Sequence, residues 1–472
     1  MAAGVPAAEH RSDDNVGMSL SVRPLVPADA ERARLLGWEA FGMPASVPTE
    51  PATLDRPGMT WFGAFDPQAG DLLLARMIDR EYDSWFGGAL VPTSGIAGVT
   101  VLAEARGQGT LTPLFAETLQ HARRRGALVS TLFPTAPGIY RRFGYELVAE
   151  LATVQVPTTA LAAVRAPVHT RTRRATVADV PAVRSVYERW ASAQNGPLSR
   201  RGVSFPGSDE EVLGEVTAVS VAVDDQQDVV GYVSWHRGQG YDGSAAVAVE
   251  DLLALTPDAY LALLRLLGSF TSVAPNTRID TSGEDPVRLL LPTGAWPVRE
   301  AHPYMLRVLD VAGAMEARPF ASSVMTELDF VVEDDFLTDL SGPYRLAVRG
   351  GRADCSRGGS GGRVLSARGL ALLYAGARPA PTCASSASCA VGTPPRTPTG
   401  TRCSAVGSGT SATTSDPDRP RRGRLPGRGV ARAPRRWRCT PSCGCGSTVG
   451  VREPAVVLVR LPAALEVKCA EN

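Results

Sequence analysis

The sequence predicts an α/β fold assembled from repeated strand–helix units, with an α+β segment after them. Three observations carry this. Residues 98–111 read as a strand, a short loop holding Gly107 and Gly109, and the start of a helix. A second strand-then-helix opening begins near Arg174 and resembles the opening at 19–41. From Met305 onward, shorter strands and a late helix at 366–377 form a different, mixed pattern.

Taken in order, 19–23 reads as an opening strand and 28–41 as a helix, with Leu35, Leu36 and Ala40 as its apolar positions. Residues 61–65 and 72–77 form a hairpin around a turn-rich 67–71. In the strand that follows, Val99 and Val101 are suited to extended backbone, and Gly107 and Gly109 leave the next loop without bulk, so a ligand can approach the main chain. The helix after it places Leu111, Leu114, Phe115, Leu119 and Ala122 on one face, and Gly126 stands where a C-terminal stop belongs. A helix starting from such a loop presents N–H groups with no intrahelical acceptor, and these bind phosphate. Residues 127–133 are the next strand, and 147–156 is expected to close the unit.

Residues 157–173 read as a linker. The second unit opens at Arg174, with a helix over 180–191. Its later strand-to-helix junction, 247–258, carries Glu250, Asp251 and Asp258 and no glycine loop, so it would repel a diphosphate. The third unit is read from Met305, with strands at 330–333 and 344–348.

Composition narrows the function classes. The 472 residues suffice for two to four domains, and 44% are hydrophobic. No apolar run reaches the roughly 18–20 residues needed to cross a bilayer as a helix. Residues 1–16 lack an apolar core segment, so a secretory leader is not expected and the cytoplasm is the expected location. The net charge of +1 conceals a division. From Arg378 on, fourteen arginines and one lysine stand against five acids, a balance of +10 that leaves −9 on the preceding body. An acidic body favours cationic amines through its long-range field, weakly at physiological salt.

The spacing Arg106-x-x-Gly109-x-Leu111 resembles motif A of the GNAT N-acetyltransferases, in which the loop cradles the pyrophosphate of acetyl-CoA. Leu111 departs from the small residue common there but is acceptable in the Eis-type (enhanced intracellular survival) branch. Some 30 residues downstream, 137–145 (PGIYRRFGY) resembles the second motif of that branch, in the right order and at the right separation. The resemblance implies tandem GNAT domains, only the first active, followed by a sterol-carrier-like α+β domain. The expected boundaries are an extension at 1–17, a catalytic domain at 18–156, a cofactor-less GNAT-like domain at 157–302, an incomplete sterol-carrier-like domain at 303–377 and a basic tail at 378–472.

What the resemblance implies for the site is specific. Val99, Thr100 and Val101 line the pantetheine; Arg106, Gly107, Gln108, Gly109, Thr110, Leu111 and Thr112 cradle the pyrophosphate; Thr135 and Ala136 touch the cofactor; and Tyr140 is the general acid. A phenol, with a reference pKa near 10, is close to a thiol leaving group and can protonate it. Without the motif, Tyr140 reads as a core tyrosine with its hydroxyl satisfied nearby. The general base is the carboxylate of the chain terminus, here Asn472; none of the five histidines lies in a motif. Glu39 and Phe41 lie in the region of the amine pocket without an aspartate to match it. Acetyl-CoA is the expected cosubstrate and no metal is expected. The expected activity is acetyl transfer to an aminoglycoside-like or lysine-containing amine by a homohexamer, with no membrane or nucleic-acid partner. The alternative is a catalytically impaired acetyl-CoA-binding or nucleic-acid-binding protein.

The resemblance stops near Gly376 and Ala377. The tail beyond is rich in Pro, Ser, Thr, Arg and Gly and holds seven of the eight cysteines. Three readings stand open for it: a shifted reading frame, a disordered basic segment that binds nucleic acid, and a metal knuckle at Cys439, Cys443 and Cys445, which lacks a fourth ligand at regular spacing.

Overall fold

In the computed structural model, residues 20–44, 47–205, 207–282 and 286–377 are described; the 1–17 extension, the 378–472 tail and Asn472 lie outside them. All of the described residues belong to one unit of the chain.

The first half comprises β1 (Ser21–Pro24), α1 (Ala30–Phe41), β2 (Met59–Asp66), β3 (Leu72–Phe86), β4 (Ala89–Val101), α2 (Leu111–Arg124), β5 (Val129–Leu132), α3 (Pro137–Arg141) and β6 (Glu146–Pro157). After α4 (Thr158–Ala162) the pattern repeats: β7 (Arg171–Arg174), α5 (Val180–Ala191), α6 (Asp209–Gly214), β8 (Ala218–Val223), β9 (Val229–Arg237), β10 (Ala246–Ala254), α7 (Pro257–Gly268), β11 (Asn276–Thr281), α8 (Val287–Leu290) and β12 (Val298–Val308). The third module holds α9 (Val311–Ala317), β13 (Thr326–Glu333), β14 (Gly342–Arg349), β15 (Arg352–Arg357), β16 (Arg363–Ser366) and α10 (Ala367–Ala375).

The two halves start their first helices with the same device. Before α1, the Asp29 carboxylate accepts the Val26 N–H at 2.9 Å and the Arg23 guanidinium at 2.6 Å. Before α5, Asp179 accepts the Thr176 N–H at 2.8 Å and Arg173 at 2.7 Å. Each carboxylate satisfies a donor that helix geometry leaves without a partner and adds negative charge at the positive end of the helix dipole.

Twelve strands form one sheet in the order β1-β2-β3-β4-β5-β12-β6-β11-β10-β9-β8-β7. Read from either edge, the series is equivalent. Each half contributes five strands in sequence order, with one parallel pair, β4 beside β5 and β10 beside β11. At the centre the sixth strands are exchanged: β12, from the second half, pairs with β5, and β6, from the first, pairs with β11. The third module is a four-stranded sheet, β15-β14-β13-β16.

This arrangement corrects three expectations. The strand at 147–156 does not close the first unit, because β6 crosses to the partner half. Residues 157–173 are not a loose linker: Thr158 and Leu161 are fully buried, and α4 packs on α7. A third unit starting at Met305, or a boundary after His302, would cut β12, whose residues from Met305 pair with β5 and belong to the large sheet. The sequence marked Met305 as the start of a new unit, whereas it lies inside β12, because which sheet a segment joins is not written in its local pattern.

The third module shares its core with the first half. One continuous apolar cluster runs from Phe62, Leu114 and Phe115 through Phe143 and Met305 to Phe330, Leu370 and Tyr374. Polar pairs cross the same seam. Arg307 of β12, fully buried, donates to Asp334 at 2.6 Å and to the Phe143 carbonyl. Glu146 accepts from Arg141 at 2.9 Å and from Arg368 of α10. Burial works to raise the Glu146 carboxyl, but Arg141, the Leu147 N–H and Arg368 together outweigh it and hold the group below its ordinary value. A carboxyl depressed in the fold stabilises above its unfolded pKa and is lost as pH falls through the folded one. The melting temperature of the wild type is therefore expected to fall more steeply below about pH 4.5 than that of Glu146→Gln. Parallel acid melting curves for the two proteins would sink this assignment.

Candidate active site

The site is built where two parallel strands separate. β4 and β5 pair only over Thr93–Val129, Ser94–Ser130 and Gly95–Thr131. Beyond Gly95, β4 continues to Val101 along β3, while β5 ends at Leu132. Among the described residues, the β5-facing edge of β4 from Ile96 onward therefore has no strand partner. Val99, Thr100 and Val101 lie on this open stretch. Val99 and Val101 are half-buried, and Thr100 is buried with its hydroxyl making no hydrogen bond among the described residues. An open strand edge and an orphaned hydroxyl together offer what an extended amide chain needs to add as a strand.

The loop after β4 turns its own side chains back on itself. Glu39 Oε1 of α1 accepts the Ala103 N–H at 2.9 Å. Arg106 Nε donates to the Val101 carbonyl at 3.3 Å, Gln108 Nε2 to the Glu104 carbonyl at 2.7 Å, and the Thr110 hydroxyl to the Ala105 carbonyl at 3.4 Å. Gly107 and Gly109 both take φ of +79°, the left-handed region, and a Cβ at either would meet nothing within 4 Å. The glycines thus serve backbone conformation and leave space outside the chain. The N–H groups of Gly107, Gly109, Thr110 and Leu111 make no hydrogen bond among the described residues, and Thr112 N–H bonds Gly109 O at 3.0 Å. Leu111 opens α2, whose Leu111, Leu114, Phe115, Leu119 and Ala122 are buried as its periodicity requires. These four amides at a helix mouth fit a diphosphate.

Valine at Gly109 would force a β-branched residue into the left-handed region and put its methyls into the open space, a strain of about 1–3 kcal/mol before any ligand is considered. Gly109→Val is expected to weaken coenzyme A binding by about tenfold or more by calorimetry. An unchanged dissociation constant would remove this loop from the cofactor site.

On the other arm of the wedge, the turn after β5 brings Thr135 and Ala136 to the surface ahead of α3, which Pro137 opens. Tyr140 is 6% exposed, its ring edge-on to Phe115 at 6.0 Å and its hydroxyl under the influence of Thr135. Burial raises its pKa above the ordinary phenol value, with Thr135 pulling it partly back, so the phenol stays protonated through neutral pH. Tyr145 is fully buried and shares its hydroxyl with Ser130 at 2.7 Å, away from any approach.

The closed end of the wedge is held by a cluster absent from the sequence reading. Asp79 of β3, 2% exposed, accepts from Ser94 at 2.6 Å and from Arg125 at 2.8 and 3.0 Å, and pairs with His121 Nδ1 at 3.1 Å. Burial opposes its charge, but these partners hold the carboxyl below its ordinary value. The cluster ties the C-terminal end of α2 to β3 and β4, which fixes where the helix mouth points. Nothing in the spacing of an Asp, a Ser, a His and an Arg over 46 residues signals this. Glu39 is spent on the loop amide, and Phe41 is 45% exposed.

The equivalent junction in the second half is different. Thr256 accepts the Ala259 N–H at 3.2 Å and Pro257 supplies no donor. Asp258 stands in the first turn of α7, accepting from Val168 and His169 N–H at 2.9 Å each. No glycine loop and no Arg-x-x-Gly lie there. A carboxylate at the helix mouth opposes a diphosphate.

With this geometry in hand, comparison with known proteins is direct. The acetyltransferase (GNAT) domain family matches twice, over residues 21–148 and 196–308, and the sterol carrier protein domain matches 311–388. An uncharacterized N-acetyltransferase of Streptomyces avermitilis is 31% identical over 307 residues, covering 61% of this chain and 73% of the relative. N-acetyltransferase Eis of Mycobacterium tuberculosis is 29% identical over 311 residues, covering 63% and 74%. Among solved structures, a GCN5-related N-acetyltransferase from Kribbella flavida superposes with a TM-score of 0.66 at 24% identity over 80% of this chain and 94% of that one. Eis1 from Mycobacterium abscessus gives 0.58 at 23%, over 75% and 89%.

Proposed function

Because the chain belongs to the Eis-type GNAT N-acetyltransferases, and is therefore an acyltransferase, we propose that it moves the acetyl group of acetyl-CoA to a primary amine of a small polyamine such as an aminoglycoside, or to a lysine side chain. The observation that carries this reading is the wedge itself: amides without a partner among the described residues at the mouth of α2 on one side and the buried Tyr140 phenol on the other. The surplus of acids on the body supports a cationic acceptor.

The cosubstrate brings an activated thioester carbonyl. Gly107, Gly109, Thr110 and Leu111 bind its diphosphate through their N–H groups, with Arg106 and Gln108 fixing the loop and Thr112 bracing the helix start. Val99, Thr100 and Val101 hold the pantetheine along the open edge of β4, beside Thr135 and Ala136. A neutral amine attacks the carbonyl, the C–N bond forms as the C–S bond breaks, Tyr140 gives its phenolic proton to the departing sulfur, and the proton released by the acylated amine returns through solvent to the phenolate. Both the amine and the sulfur change charge in this step, and a donor already placed at the sulfur needs no reorganisation as that charge develops. The second half is proposed to bind no acyl-CoA, since its helix mouth is capped internally and carries Asp258.

A thiol-release assay with acetyl-CoA and a panel of amines tests the proposal. Release with at least one polyamine or lysine peptide is expected. Failure with every amine, while acetyl-CoA still binds, would overturn it. A hexamer is carried by the resemblance alone, and light scattering of the full chain tests it.

A further inference from the structure

We infer that the second half carries a binding site of its own, separate from the acetyl-transfer wedge, for a small organic cation with an apolar body. The site is a solvent-connected cavity of about 160 Å³ between α5, α6 and the face of β8, β9 and β10.

The near-symmetry of the two halves explains why a cavity exists here. Tyr187 of α5 stands where Gly37 stands in α1, each seven residues after the helix start. Tyr232 of β9 stands where Arg76 stands in β3: Arg76 pairs with Gly63 and Gly63 with Arg23, as Tyr232 pairs with Val221 and Val221 with Arg173. In the first half the Arg76 guanidinium, 1% exposed and 4.9 Å from the Trp61 ring centroid, fills the space under α1, and even a Cβ on Gly37 would overlap it. In the second half two tyrosines replace that pair and become walls, their hydroxyls already spent: Tyr187 donates to the Leu198 carbonyl at 2.7 Å and Tyr232 to Asp251 at 3.0 Å.

The charge in the cavity has one sign left over. Its three arginines are each in an ion pair: Arg200 with Asp251 at 2.6 Å, Arg184 with Asp209 at 2.6 Å, and Arg201 with Glu188. Glu211, Glu215 and Glu250 also line it, and none has an arginine partner among the described residues. Glu250 is the deepest of them. It sits at a bulge in β10, between Val249 and Asp251 in the β9 register, and meets His236 Nε2 at 2.8 Å. Burial raises its carboxyl, so an incoming cation would relieve it. Aromatic and valine walls with surplus carboxylates select an apolar body bearing a positive charge.

One wall is a chain segment tied to the first half. Trp85 N–H donates to the Pro197 carbonyl at 2.8 Å, Gly196 N–H to Trp85 at 2.7 Å, and Ser199 N–H to Asp83 at 2.8 Å, all at the end of β3. Arg200, in that segment, takes φ of +52°, a strained conformation for a side chain of its size, and it is this conformation that accompanies the Arg200–Asp251 pair.

The test is equilibrium dialysis of the full chain without acetyl-CoA, using phenethylamine, its neutral counterpart 2-phenylethanol, and the anion 3-phenylpropionate. Wild type is expected to hold phenethylamine at least tenfold more tightly than either counterpart. Val216→Trp, at a half-buried lining position, fills the cavity and is expected to abolish this uptake, with circular dichroism melting as the folding control; Glu250→Gln is expected to weaken it at least fivefold and decides the matter if the tryptophan variant does not fold. Loss of this uptake in the cavity variants while thiol release from acetyl-CoA is retained separates this site from the acetyl-transfer wedge. Equal uptake of 2-phenylethanol, or uptake that neither cavity variant reduces, would overturn the inference.

Discussion

Replacing Tyr140 with phenylalanine is expected to lower kcat for acetyl transfer by roughly 10²–10⁴-fold, the usual contribution of a positioned proton donor, and to leave the dissociation constant of coenzyme A within about twofold. The substitution removes one oxygen. The ring keeps its edge contact with Phe115, and the loop proposed to grip the diphosphate lies on the other arm of the wedge. The pH dependence gives a second reading. Because the folded pKa of Tyr140 is raised, its proton is retained below the ordinary phenol value and given up only above it. Any alkaline limb due to this residue therefore lies above about pH 10, and the acidic limb belongs to the amine or its base. Single-turnover thiol release across pH checks both. If Tyr140→Phe turns over like wild type, the proton donor is another group.

Replacing Asp334 with alanine is expected to destabilise the protein by about 3–5 kcal/mol, the cost of leaving a buried cation without its partner. Arg307 is fully buried and Asp334 carries its charge at 2.6 Å. The melting temperature should fall on the order of 10 °C. The effect reaches the chemistry, because Arg307 also holds the Phe143 carbonyl, and Phe143 N–H bonds the Tyr140 carbonyl at 2.9 Å. Asp334 is thus a positioning residue acting from the third module on the turn that presents the phenol. At a temperature where the variant remains folded, kcat should fall while coenzyme A affinity holds, and Asp334→Asn should recover part of both losses. A stable Asp334→Ala protein with normal kcat would show that the seam does not position Tyr140. Gly144 explains why this turn tolerates little change: its φ is +81°, and a Cβ there would overlap the Arg307 guanidinium.

Local chemistry was legible in the chain because it depends on near neighbours. The periodicity of Leu114, Phe115, Leu119 and Ala122 defined a helix face, and every one of those positions is buried. Gly107 and Gly109 adopt the backbone that glycine permits, and the spacing from Arg106 through Tyr140 carried the family. The repeat of a strand and helix near Arg174 carried the tandem architecture.

What tertiary structure decided are relations between residues far apart in sequence. The strand at 298–308, which the sequence reading did not name, lies between β5 and β6, a placement that local pattern cannot give because it does not fix a strand's neighbours. Asp79, Ser94, His121 and Arg125 became one cluster, and Arg307, Asp334 and Phe143 another, only through folding. The cavity in the second half arises the same way, from two tyrosines standing where a glycine and an arginine stand in the first. Sequence by itself determined the opening strand and helix of each half, the apolar face of α2 and the glycine loop before it, because those follow from local backbone preference. Only the fold decided which strands meet, which charges are buried together and where empty space remains, because those are properties of packing.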